Sequence, residues 1–187
     1  MRTLLLAALL VGLTPLATQA AIITEFMADN KSTCTDQDGS YSDWIEICNP
    51  TAAAESLLGW SLTDDAMNPW KWIFPAVTLQ SGEYRIVFAS SKNRTNPLGE
   101  LHTNFRLSSA GEYLGLFRPD GSIASDIAPA YPPQKPDMPF FSYGLSPIDG
   151  SLMVFGAPTP GGPNVPEPAT LALLAVGGLA LAARRRR

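Results

Sequence analysis

Residues 112–127 read EYLGLFRPDGSIASDI. Two short runs, Glu112 to Arg118 and Ser122 to Ile127, bracket Pro119-Asp120-Gly121. The proline presets φ for the first turn position and the glycine admits φ > 0, so the turn is predicted with a mechanism. The stretch reads as two strands joined by a tight turn, and the body of the chain repeats that design.

No window between the two ends of the chain sustains a 3.6-residue apolar period. Short runs recur instead, separated by Gly, Pro, Asn and Asp. They are Ile22 to Met27, Asp43 to Cys48, Leu57 to Leu62, Trp70 to Phe74, Glu83 to Ala89, Phe140 to Tyr143 and Leu152 to Phe155. In Asp43 to Cys48, alternation puts Trp44, Glu46 and Cys48 on one face and Ile45 and Ile47 on the other. Tyr84, Ile86 and Phe88 share a face in the same way. Many short strands at near-regular spacing predict an all-β sandwich. Trp44, Trp60, Trp72, Tyr84, Phe88 and Phe117 are expected to fill its inter-sheet core. The proline-rich stretch 129–139 is expected to be an ordered loop packed on the sandwich.

Both ends carry a different signal. At the start, Arg2, the apolar run Leu4 to Leu13 and the small residues around Thr18-Gln19-Ala20 read as a signal peptide over residues 1–20. At the other end, residues 165–187 read VPEPATLALLAVGGLALAARRRR. Val165, Pro166, Glu167 and Pro168 form a tetrad that cannot continue a helix. The apolar run Ala169 to Ala183 can, and Arg184, Arg185, Arg186 and Arg187 stay on the cytoplasmic side of a bilayer. As a helix that run spans about 22 Å at 1.5 Å per residue, short of a hydrocarbon core of about 30 Å. Shortness and the tetrad favour a processed signal over a permanent anchor. The segment resembles a PEP-CTERM sorting tail of Gram-negative bacteria. That resemblance implies an exosortase-type partner cutting near the tetrad, and a precursor held transiently in the inner membrane.

The sandwich is assigned to residues 21–157 and a Pro/Gly linker to 158–164. The full chain has 13 Lys and Arg against 17 Asp and Glu. Setting aside Arg2, Glu167 and the four terminal arginines removes five basic residues and one acid, and moves the net charge to −8. Such a domain is a poor nucleic-acid binder, because phosphate contacts supply most non-specific affinity. Cys34 and Cys48 are an isolated pair in an exported chain, and that context predicts a disulfide.

Other motifs are weaker. Asp36, Asp38 and Asp43 are acids that a calcium ion could take. The calcium-loop spacing fails, however, because Gly39 arrives too early and no Glu closes the loop. An Asp/Gly-rich turn is the preferred reading, with no metal and no cofactor. Glu46 is an acid inside an apolar strand, expected to face solvent or to bond backbone amides or Arg106. His102 is the only histidine, and no nucleophile-elbow motif accompanies it. No pair of carboxylates is placed together by the sequence, as a glycosidase would need.

The blocks 23–30 (ITEFMADN), 36–50 (DQDGSYSDWIEICNP), 59–65 (GWSLTDD), 71–75 (KWIFP), 81–90 (SGEYRIVFAS), 101–121 (LHTNFRLSSAGEYLGLFRPDG) and 158–164 (PTPGGPN) resemble the bacterial lamin-tail domain. The resemblance implies an immunoglobulin-like sandwich and a binding or scaffolding role. The expected function is a non-catalytic exported module with a protein or polysaccharide ligand and no nucleic acid. The competing expectation is an accessory subunit or metal-dependent hydrolase of extracellular polymer breakdown, with an acidic site near Asp36 to Asp43.

Overall fold

A computed structural model describes residues 20–134 and 140–165. The strands are β1 (Ile22–Met27), β2 (Asp43–Cys48), β3 (Glu55–Ser56), β4 (Ser61–Thr63), β5 (Trp72–Ile73), β6 (Thr78–Leu79), β7 (Tyr84–Ala89), β8 (Leu101–His102), β9 (Leu114–Phe117), β10 (Ile123–Ile127), β11 (Ser142–Leu145) and β12 (Leu152–Phe155). No helix occurs among the described residues. The expected signal helix and C-terminal apolar helix lie outside them.

A six-stranded sheet runs in the order β12-β11-β1-β2-β7-β8 and a four-stranded sheet in the order β10-β9-β4-β5. The small pair β3-β6 stands beside them. Pairing is antiparallel except between β7 and β8. The Pro119-Asp120-Gly121 turn forms as expected. Gly121 has φ +82°, and its amide donates to Arg118 O at 2.9 Å. The apolar segment 57–62 is not one strand. A turn at Leu57 to Trp60 separates β3 from β4, closed by the Trp60 amide donating to Leu57 O at 3.0 Å.

One buried cluster fills the space between the sheets. Ile23, Phe26, Ile45, Ile47 and Val87 from the large sheet meet Leu62, Trp72, Leu114 and Leu116 from the small one. Each such side chain contributes about 1.5–3 kcal/mol on burial. Trp60 and Trp72 belong to this core as expected, whereas Trp44 and Phe88 do not. Alternation sends Ile45 and Val87 inward, so Trp44 and Phe88 go to the outer face and cluster there with Met27. Tyr84 shares that outer face and is half-buried. Phe117 is buried outside both clusters, close over Gly115.

The proline-rich stretch packs on the sandwich as far as it is described. Tyr131 is buried against Phe26, with ring centroids 4.8 Å apart, and its hydroxyl donates to Ser108 O at 3.0 Å.

Candidate functional site: a buried carboxylate pair under an exit strap

The site begins with one irregularity in β1. The β1–β2 register shifts between Ile23 and Glu25, leaving Thr24 as the extra residue of a bulge. The shift places Glu25 directly opposite Glu46. Both are fully buried. No lysine or arginine bonds either carboxylate among the described residues. Burial pushes the Glu46 carboxyl up to about 7, and the Glu25 charge adds to that, against hydrogen bonds from Thr24 and Gly161.

The chain after β12 covers the pair. Thr159 donates to Glu25 through its amide at 3.1 Å and its hydroxyl at 2.8 Å. Ser142 Oγ also donates to Glu25. Glu46 accepts from Thr24 Oγ1 at 2.7 Å and from the Gly161 amide at 2.6 Å. Gly161 has φ +89°, a conformation that suits glycine. Asn164 then donates to Thr24 O and to Leu145 O, each at 2.8 Å. Gly144 of β11 leaves the slot for this amide. A Cβ there would lie 2.7 Å from Asn164 Nδ2 and 2.9 Å from Thr24 O. Residues 158–164 are therefore not the linker that their Pro/Gly content predicts. Thr159 to Asn164 form a strap on the sheet, because two buried carboxylates need donors and this segment supplies backbone amides.

The structure does bring two carboxylates together, but at Glu25 and Glu46 rather than among Asp36, Asp38 and Asp43. The strap covers them, so the arrangement holds chain rather than substrate. The bulge, Thr159 and Asn164 were missed because no local pattern links positions 140 apart in sequence. An acid inside the apolar strand β2 was the signal at hand, and bonding to backbone amides was one of its expected roles.

Asp36, Asp38 and Asp43 do not converge on a common point. Asp36 Oδ1 accepts from the Asp38 and Ser40 amides at 3.0 and 3.1 Å, which makes it the organiser of its own turn. Its Oδ2 accepts from Ser42 Oγ at 2.7 Å and Lys92 Nζ at 2.5 Å. Burial works to raise Asp36, but the bonds from Lys92, Ser42 and the amides win and hold it far below the carboxylate range. Arg94 and Lys92 lower Asp38. Asp43 accepts from the Asn30 amide at 3.1 Å, and burial raises it. No group of three metal-ligating side chains forms among the described residues.

His102 lies in β8, fully buried and stacked on Phe88. Its Nδ1 is 2.8 Å from Ser90 Oγ, and its Nε2 is 3.6 Å from Glu100 Oε2. Burial, then Arg94 and Lys92, lower its pKa and keep it neutral. The row of hydroxyl, imidazole and carboxylate has no solvent-facing imidazole to serve a substrate.

The expected disulfide is not formed; both cysteines are free. Cys34 packs on the Met27, Trp44 and Phe88 cluster. Cys48 ends β2 four residues beyond Trp44, about 13 Å along a strand, and a bridge needs Cα atoms within about 7 Å. Beside Cys34 a groove of about 590 Å³ runs between Ile86, Phe88, Leu98, Glu100 and Pro160.

The described residues form an all-β sandwich with a docked C-terminal strap. Comparison with known families places it further: the lamin tail domain model matches residues 14–129, so the chain belongs to the lamin tail domain family. A PEP-CTERM protein-sorting motif matches residues 164–187. That motif signals export and sorting to the cell envelope of Gram-negative bacteria and implies processing by an exosortase, a membrane enzyme. No curated protein matches the chain. Of the sorting residues Val165 to Arg187, only Val165 is described, and it is exposed. No described helix is long and apolar enough to cross a membrane, and the apolar run at 169–183 lies outside the described residues.

Proposed function

We infer that this chain is a non-catalytic β-sandwich displayed at the cell surface, in the outer envelope or in the extracellular matrix. It binds protein or polysaccharide, or acts as a scaffold there, after release of a membrane-held precursor through its C-terminal signal. One observation carries the reading: the groups that chemistry would need are spent on holding the fold. Asp36 and Asp38 are paired with Lys92 and Arg94, His102 is sealed against Ser90, and Glu25 and Glu46 are covered. The groove between Cys34, Phe88 and Leu98 is a surface open to a ligand, with Leu98 almost fully exposed at its rim.

The test is the intact mass of the mature protein from its native host. A C-terminus between Pro166 and Pro168 supports display after processing. A chain that runs through Arg187 removes the sorting step. Retention on envelope polysaccharide or surface protein, lost in Leu98→Asp, then tests the binding role. Turnover of polymer by the purified domain would replace it with the hydrolase reading.

A further inference from the structure

The strap ends where the sorting tetrad begins. Asn164 is pinned by two hydrogen bonds to the sheet, and the next residue, Val165, is the first of the tetrad. An enzyme that cuts within a chain takes its substrate as an extended peptide, often by strand addition, with several residues held on each side of the bond. A cut after Pro166 would have to hold Pro163 and Asn164 in that way. In the folded domain the Asn164 side chain is held in the slot beside Gly144, and Thr159 and Gly161 just upstream are bonded to Glu25 and Glu46.

The geometry points to the strap as a latch on processing: residues 159–164 must leave the sheet before the tetrad can be taken up in extended form. Its holding points are the buried Glu25–Glu46 pair at one end and the Asn164 slot at the other. The strap, β11 and β12 all lie beyond residues 14–129, the stretch that the family model matches. Release of such a segment is a local opening, with its own free energy below that of global unfolding. Folding and cutting are thereby coupled. A domain still being assembled leaves residues 159–164 free, and a finished one holds them on the sheet until the strap lifts. The inference rests on the sorting reading for its biological setting, but the latch itself is a property of the chain.

The experiment uses the full chain in detergent and a proline-specific endoprotease that acts on folded proteins. Mass spectrometry follows release of the peptide that begins at Glu167. Three proteins are compared: wild type, a form with a six-residue Gly/Ser spacer between Asn164 and Val165, and Asn164→Ala. The spacer leaves every strap contact in place, so it folds as wild type does, and its cut should be at least tenfold faster. Asn164→Ala should be several-fold faster. Equal rates for wild type and the spacer form would overturn the latch, whatever happens in the host. The same proteins are then followed in the native host. A wild-type tail kept through Arg187 while the endoprotease rates diverge would sink the sorting reading and leave the latch standing.

Discussion

Glu25 and Glu46 face each other across the β1–β2 pairing, both fully buried, and the donors to them are hydroxyls and backbone amides rather than cations. Two carboxylates in that position repel unless one holds a proton, which gives the fold a pH dependence of definite sign.

Glu46 has its folded pKa raised to about 7, chiefly by burial. A raised carboxyl binds its proton more tightly in the folded state. Its contribution is therefore complete below the ordinary Glu value and is lost as pH rises to about 7, up to roughly 3 kcal/mol. His102 works in the other direction, because its lowered pKa favours folding as pH rises through its unfolded value. Urea unfolding of wild type and Glu46→Gln from pH 4.5 to 7.5 separates the two. The stability difference between them should change steadily across that window, and a flat difference would mean that Glu46 does not titrate there.

Gly144→Ala should damage the strap more than the sheet. The new methyl meets Asn164 Nδ2, Thr24 O and the Phe155 ring, all within 3.0 Å. Overpacking of this kind costs about 1–3 kcal/mol. Hydrogen exchange should speed up at Gly161 and Asn164 while the β2–β7 amides stay protected. Unchanged exchange in the strap would show that the slot tolerates a methyl.

Asp36→Ala should unravel the loop between β1 and β2. It removes the acceptor for two amides, Ser42 and Lys92. Lys92 keeps partial access to water, so the loss is set at about 2 kcal/mol rather than the full cost of a buried orphan charge. Because the Asp36 pKa is depressed, this contribution holds above the ordinary Asp value and fades as pH falls below it. A melting difference that persists unchanged at pH 2 would contradict this.

Both cysteines should resist alkylation in the native state. Burial pushes the Cys34 thiol up to about 11, with the charges of Glu100 and Glu25 adding, and burial also raises Cys48. The thiolate is the reactive form, so little is present at neutral pH. Intact mass after iodoacetamide should show no rapid adduct on the folded protein and two adducts after denaturation. Two adducts that need a reductant as well would restore the bridge.

Much of the fold was readable from local pattern. The Pro119-Asp120-Gly121 hairpin and the runs at 22–27, 43–48 and 152–155 appear where alternation and turn chemistry put them. Face assignment was harder. Size suggested that Trp44 and Phe88 fill the inter-sheet core, but Ile45 and Val87 already occupy it, and the aromatic pair gained its burial under the loop that carries Cys34. The site was barely readable. Glu46 stood out as an acid in an apolar strand, yet nothing near it named Glu25, Thr159 or Gly161 as its company. The cysteine pair misled because spacing along the chain says nothing about which side of a loop each thiol faces.

The order β11-β1-β2 has a consequence for how the chain is made. The first strand waits for nearly the last: Thr24 and Asn164 meet across 140 positions. Until residues 142–164 have crossed the inner membrane, β1 carries an open edge and its acid at position 25 has no cover. Contacts this remote in sequence also close slowly. The sheet is thereby left open until the final strands emerge, and it closes only when the last described residues reach β1.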